Sequence, residues 1–164
     1  AKPESRLERA LTELSRTLQA LPPGIRFNIV AFAGRLELYA DECVLANPEQ
    51  IQEAITWLNT RKMNLGTRIH DAIEMGFHLS GRGVEDTYFN STVDTIFLLT
   101  DGMPIAGSKK DPPDGILRAA KRWNLGSQVV IHTVGLGDGV PVQFLKKLAK
   151  DHGGQFAHEK SKPK

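Results

Sequence analysis

The sequence has little cysteine, no long apolar run and no strong excess of charge. Its single cysteine, Cys43, rules out an internal disulfide. No apolar run approaches the length of a membrane span, and no basic stripe is interleaved with aromatic residues. The formal net charge is only +2. These absences argue against a disulfide scaffold, a membrane-spanning protein and a nucleic-acid-binding protein, and they do not indicate a cellular compartment.

The usual signatures of catalysis are also missing. The chain contains no Gly-x-Ser-x-Gly motif, and Cys43 has no histidine at the spacing of a nucleophile and its base. The five histidines do not form a His-Glu-x-x-His metal motif. We therefore expect a protein that is not an enzyme, with a hydrolytic enzyme as the less favoured alternative.

What the sequence does contain is enough apolar residues for one core. With 164 residues and 40% hydrophobic content, the composition predicts one folded domain. We place this domain at residues 1–159 and interpret residues 160–164, which are rich in lysine, as a basic tail.

Apolar periodicity alternates between helices and strands along the chain. A leucine stripe predicts a first helix that begins near Pro3, and residues 26–32 and 36–39 predict a hairpin. Later strands are predicted at 93–99, 128–134 and 155–157, with helices between them. This order predicts an α/β fold: a doubly wound, mostly parallel sheet with helices on both faces and one antiparallel edge strand. The residues expected to be almost fully buried are Ile29, Val30, Ile96, Phe97, Leu98, Val129, Val130 and Ile131.

Two polar residues are predicted at the edge of the sheet where parallel strands end, which we call the rim. Asp101 follows the most apolar strand directly, and Thr67 follows Gly66 at the start of a helix. Ligands of open α/β sheets bind beyond the carboxyl ends of the strands, so both residues are candidates for a site. The alternative is that Thr67 only caps its helix and that Asp101 only forms a turn.

Four segments together resemble the von Willebrand factor A (VWA) family. They are residues 26–32 (Arg-Phe-Asn-Ile-Val-Ala-Phe), 64–67 (Asn-Leu-Gly-Thr), 98–102 (Leu-Leu-Thr-Asp-Gly) and 131–137 (Ile-His-Thr-Val-Gly-Leu-Gly). The resemblance implies a Rossmann-like fold with a metal-ion-dependent adhesion site (MIDAS) that binds Mg²⁺. It also implies that Thr67 and Asp101 are ligands and that an acidic residue of a partner protein completes the coordination. The rim residues expected to contact such a partner are Asn64, Gly66, Gly102 and Met103.

One family motif, Asp-x-Ser-x-Ser at the end of the first strand, does not occur in this sequence. From this we expect a fragment of a longer protein, with an incomplete metal site that binds Mg²⁺ weakly or not at all. The family order places the first strand between residues 26–32 and 93–99, so an open slot is expected there. We expect another strand to fill that slot, with self-association as one route. A metal-independent scaffold domain remains the alternative function.

Overall fold

A computed structural model describes residues 5–32, 34–61, 68–79, 93–102, 113–126 and 128–160. The helices in these ranges are α1 (Arg6–Gln19), α2 (Pro48–Asn59), α3 (Ile69–His78), α4 (Pro113–Trp123) and α5 (Val142–Asp151). The strands are β1 (Arg26–Phe27), β2 (Val30–Phe32), β3 (Leu36–Leu38), β4 (Val44–Leu45), β5 (Thr95–Thr100), β6 (Val130–Leu136) and β7 (Phe156–Glu159). Within the described ranges, no helix is long and apolar enough to cross a membrane.

The central element is a parallel sheet in the order β5-β6-β7. Its register pairs Thr95 with Val130 at one end of β5 and Thr100 with Gly135 at the other. Strand β7 pairs with the second half of β6, from Thr133 onwards. Helices α4 and α5 supply the crossovers between these strands, so the predicted doubly wound, mostly parallel architecture is confirmed.

The first helix begins later than the sequence pattern predicts. Ser5 is its N-cap: the Ser5 hydroxyl accepts a hydrogen bond from the Glu8 amide, and the Glu8 carboxylate accepts one from the Ser5 amide. This reciprocal capping box satisfies two amides that would otherwise lack partners at the helix start. The helix therefore begins at Arg6 and not near Pro3, as the sequence pattern predicted.

The strand predicted at 26–32 is divided in two by the side chain of Asn28. Its Nδ2 donates to the carbonyl oxygen of Ala40 at 2.7 Å, and its Oδ1 accepts from the Ala40 amide at 3.2 Å. The side chain thus takes the place of a backbone pair between the strands. On either side of this point, β1 pairs with β4 and β2 pairs with β3, both antiparallel. The predicted hairpin is confirmed, whereas β4 was not predicted.

Two apolar clusters stabilise the fold. The larger one lies between the sheet and helices α3, α4 and α5, and it contains Leu98 and the fully buried Ile131. The smaller one joins α1 and α2 to Phe27 and Ile29. Of the residues predicted to be almost fully buried, this holds for Ile29, Leu98, Val129 and Ile131.

Phe97 was predicted to be almost fully buried, and this prediction is wrong. Its side chain is 52% exposed, and Ile96, Val30 and Val130 are only partly buried. Successive side chains of a strand point to opposite faces, so Phe97 lies on the face opposite Leu98. There its ring stacks on the His132 imidazole, with ring centroids 4.9 Å apart, but the described residues leave much of the ring uncovered.

Strands β2 and β5 each leave one edge unpaired within the described part of the chain. The peptide groups of Thr95, Phe97 and Leu99 point away from β6, and those of Val30 and Phe32 point away from β3. Helix α3 packs against β2 and also contacts β5, where Gly76 lies against Ile96. The two strands therefore lie against the same helix, yet the structure shows no pairing between them in the described ranges.

Gly154 brings the chain into close contact with β6. A Cβ atom built at this position would lie 1.9 Å from the carbonyl oxygen of Ile131. The amide of Gly154 donates to the Ala149 carbonyl of α5 at 2.9 Å, and the next carbonyl, that of Gln155, accepts from the Thr133 amide at 2.9 Å. Glycine is needed here because any side chain would overlap the backbone of the neighbouring strand.

Candidate binding site at the sheet rim

Strands β5 and β6 end side by side and form the described part of the rim. Since Thr100 pairs with Gly135 in a parallel register, the residues that follow each strand leave the sheet at the same edge. Asp101 and Gly102 form a bend directly after β5, and both are partly exposed. The structure therefore confirms that β5 delivers a carboxylate to this edge.

The bend after β5 does not depend on the Asp101 side chain. The hydroxyl of Thr100, a residue only 4% exposed, lies 3.4 Å from both the amide nitrogen and the carbonyl oxygen of Gly102. Contacts of this length are weak, but the side chain that makes them belongs to Thr100 and not to Asp101. Among the described residues, the Asp101 carboxylate has no hydrogen-bond or ion-pair partner. Within the described ranges, its oxygens are therefore open to a ligand.

The residues after β6 supply a second carboxylate, that of Asp138, which was not among the predicted site residues. Gly137 adopts a left-handed φ of 86°, its amide donates to the Glu159 carbonyl at 2.7 Å, and its carbonyl oxygen lies 2.7 Å from His158 Nε2. The next residue, Asp138, is exposed. The signal that could have identified it is the one used for Asp101: an acidic residue just beyond a buried parallel strand.

Four predicted rim residues, Asn64, Gly66, Thr67 and Met103, lie outside the described residues. The expected closeness of Thr67 and Asp101 therefore stays a prediction.

The residues on either side of 62–67 are described, and both are arginines with acidic partners. Arg61 Nη1 lies 2.7 Å from Glu37 Oε2, and Arg68 Nε lies 2.6 Å from Asp71 Oδ2.

A group of possible metal ligands lies on α3, in the turn after Arg68. Ligand atoms of His70, Asp71 and Glu74 lie within 4.8 Å of one another. However, Asp71 already binds the Arg68 guanidinium, and the His70 ring packs edge-on against Trp123 with centroids 5.1 Å apart. These contacts explain why the three side chains lie close together: they form polar packing on the surface of α3.

Comparison with known proteins identifies the family. The sequence profile of the von Willebrand factor type A domain matches residues 4–157, which is nearly the whole chain. The chain belongs to the VWA family.

Among curated relatives, mouse inter alpha-trypsin inhibitor heavy chain 4 is 27% identical over 150 residues, covering 91% of this chain and 16% of the relative. The pig heavy chain H4 is 32% identical over 130 residues, covering 79% of this chain and 14% of the relative. The VWA chain thus spans about a sixth of the length of these relatives.

Solved structures agree on the VWA fold. A von Willebrand factor type A protein from Catenulispora acidiphila superposes with a TM-score of 0.70 at 18% identity, covering 93% of this chain and 34% of that one. Proximal thread matrix protein 1 from the mussel byssus, with a zinc-occupied MIDAS motif, superposes with a TM-score of 0.63 at 13% identity, covering 94% of this chain and 39% of that one. At these identities the likeness establishes the fold, and the Rossmann-like VWA architecture is confirmed.

The described rim fits a divalent cation only in part. Asp101 offers the hard carboxylate oxygens that Mg²⁺ prefers, without a competing ion pair in the described ranges. Mg²⁺ needs six oxygen ligands and gives up its waters reluctantly. The Asp101 carboxylate and the predicted Thr67 hydroxyl would leave most of the ligands to water, so this pair does not account for tight binding.

Proposed function

We propose that this VWA domain is a protein-interaction module that binds its partner through the rim. The observation that carries the proposal is the Asp101 carboxylate, which leaves β5 at the carboxyl edge of the sheet and has no partner among the described residues. The contact surface would consist of Asn64, Gly66, Gly102 and Met103 around Asp101 and Thr67.

A weakly held divalent cation, Mg²⁺ by the chemistry of the oxygens, is part of the proposal. Thr67 and Asp101 would hold it, and it would supply positive charge that attracts an acidic residue of the partner. The zinc-occupied MIDAS motif of the mussel protein supports this at the level of the fold. The alternative is a metal-independent scaffold that uses the same loops without a cation.

The relatives reported above are named as inhibitor heavy chains and a byssus matrix protein, which fits a domain that is not an enzyme at the family level. The absence of nucleophile and base motifs in the sequence supports the same conclusion for this chain. Because this VWA domain spans only part of its relatives, the partner of the whole protein is a separate question.

Calorimetric titration of Mg²⁺ and Mn²⁺ tests the metal part of the proposal. We expect binding of about millimolar strength or weaker, because few protein ligands are available. Asp101→Asn should abolish it, whereas Asp114→Asn, which removes an exposed carboxylate in the first turn of α4, should leave it unchanged. Micromolar binding that depends on Asp101 would show a complete site and contradict the weak-site interpretation.

Partner recognition is tested separately with a short capped peptide that carries one aspartate. NMR shifts of the Gly102 amide should respond to this peptide in the presence of Mg²⁺ and not to the matched asparagine peptide. An equal response without Mg²⁺ would favour the metal-independent scaffold. No response to either peptide would contradict recognition of an acidic residue at the rim.

We also propose self-association through the edges of β2 and β5 that have no strand partner within the described ranges. Unpaired peptide groups on exposed strands form a template for another strand, and Phe97 adds exposed apolar surface beside them. A strand from a second copy would satisfy the peptide groups of Thr95, Phe97 and Leu99.

Sedimentation velocity over a range of protein concentrations tests this second proposal. Phe97→Lys places a charge beside the free edge of β5 and should shift the protein towards monomer. Leu45→Lys is the matched control, since Leu45 is 47% exposed on β4 and lies outside the proposed edge. A monomer at all concentrations in the unmodified protein would refute self-association.

A further inference from the structure

A groove on the outer side of α2 has a mostly apolar surface with two aromatic rings, and two of the residues that line it are glutamates. It has a volume of about 550 Å³ and lies between α2 and the residue that follows β3. Its lining consists of Tyr39, Glu49, Gln52, Glu53, Thr56 and Trp57. None of these residues belongs to the rim described above.

The two aromatic rings meet at a corner. The Tyr39 and Trp57 ring centroids are 5.7 Å apart and the ring planes differ by 69°, so the rings form two walls of one recess. Phe27 stacks behind Tyr39 at 6.1 Å with nearly parallel planes, which fixes the Tyr39 ring from the core side. The faces of such rings carry partial negative charge and attract cations.

Two carboxylates beside the groove have no cationic partner among the described residues. Glu49 and Glu53 are one helical turn apart on α2, both exposed, and in the described ranges neither has an ion-pair partner. Among the described residues, Glu53 accepts one hydrogen bond, from Gln50 Nε2 at 3.2 Å. The Glu53 charge also reaches the aromatic wall: burial is the main cause that raises the pKa of Tyr39, and the nearby Glu53 carboxylate adds to it.

The chain itself shows that the Trp57 ring accepts a guanidinium group. The Arg61 Cζ atom lies 4.5 Å from the Trp57 ring centroid, and Glu37 holds the same guanidinium at 2.7 Å. Arg61 does not line the groove, whereas Trp57 and Tyr39 both do.

We propose that this groove binds a basic side chain of a partner protein, with arginine preferred over lysine. A guanidinium in the corner would stack on the aromatic walls while its N–H groups donate to Glu49 and Glu53. Arginine is favoured because its flat, weakly hydrated guanidinium stacks on rings and forms paired hydrogen bonds, whereas the ammonium of lysine is compact and strongly hydrated. This site is independent of the rim and of any cation there.

The test uses a capped pentapeptide with one arginine between glycines, titrated into the protein at low salt and followed by the Trp57 indole signal in NMR. Binding on the order of millimolar is expected for one cation on an exposed aromatic site. The lysine peptide should bind several-fold more weakly. A peptide with citrulline, the neutral analogue of arginine, should bind more weakly still.

Variants separate the two parts of the site. Glu53→Gln should weaken binding about twofold to fivefold, as for an exposed ion pair, whereas Glu159→Gln, which removes an exposed carboxylate on β7, should not change it. Trp57→Phe should keep part of the affinity and Trp57→Ala should remove saturable binding; amide spectra of each variant confirm the fold. Equal binding of the arginine and citrulline peptides, or equal effects of the two glutamate variants, would overturn the proposal.

Discussion

Gly154→Ala is the substitution whose effect the structure defines most sharply. The added Cβ would lie 1.9 Å from the Ile131 carbonyl oxygen, 2.5 Å from its carbon and 3.0 Å from the His132 amide nitrogen. Ordinary contact begins at 3.4 Å, so one backbone segment must move by about 1.5 Å. Both contacting segments are main chain, and neither can move away as a flexible side chain could.

The cost follows from what that movement would break. Overpacking typically costs about 1–3 kcal/mol. The hydrogen bonds that flank Gly154, from its own amide to Ala149 and from Thr133 to Gln155, are worth about 0.5–1.5 kcal/mol each. We therefore expect Gly154→Ala to lower the free energy of unfolding by about 3 kcal/mol or more.

Gly139→Ala is the matched control. A Cβ at Gly139 meets no atom within 4 Å, and its φ is not in the left-handed region. Replacing such a glycine reduces the freedom of the unfolded chain and stabilises by about 0.4–1 kcal/mol. Urea unfolding of both variants should thus give changes of opposite sign. A loss below about 1 kcal/mol for Gly154→Ala would refute the close approach of Gly154 to β6.

Two further predictions concern stability. Leu98→Ala removes a side chain that is 4% exposed and should cost about 2–5 kcal/mol in urea unfolding, whereas Leu125→Ala, at a residue 84% exposed, should change stability by less than about 0.5 kcal/mol. Burial lowers the pKa of His152 below its usual 6.5, so the unfolded chain binds a proton that the folded chain resists. Stability should therefore fall as the pH drops from 6.5 through the folded pKa, and His152→Gln should make that decline shallower in melts at successive pH values.

Local patterns were sufficient to predict much of the fold. The period of the apolar residues identifies helices α3 to α5 because each buries one stripe, and continuous apolar runs identify strands β5 and β6. The division of the predicted strand at Asn28 was not predicted. The Asn28 side chain replaces a backbone pair with Ala40, and because that contact crosses the hairpin, residues 26–32 alone do not reveal it. Strand β4 is two residues long and carries no period of its own.

The burial of Phe97 was predicted wrongly for a related reason. A run of apolar residues indicates a strand, but whether its second face is covered depends on which elements pack there. The candidate site was predicted in part, since the carboxyl end of β5 follows from alternation of strands and helices, and Asp101 follows from that end. The surroundings of its carboxylate depend on residues distant in sequence, and only the structure shows that no described residue binds it.

The proposed self-association through the edges of β2 and β5, which are unpaired in the described part of the chain, has a consequence for measurements of stability. When a folded chain associates with another copy and the unfolded chain does not, mass action adds the association energy to the apparent stability. The midpoint of thermal unfolding then rises with protein concentration, and a single melting temperature does not describe the domain. Variants of this chain should therefore be compared at one matched concentration, low enough that dilution no longer moves the midpoint.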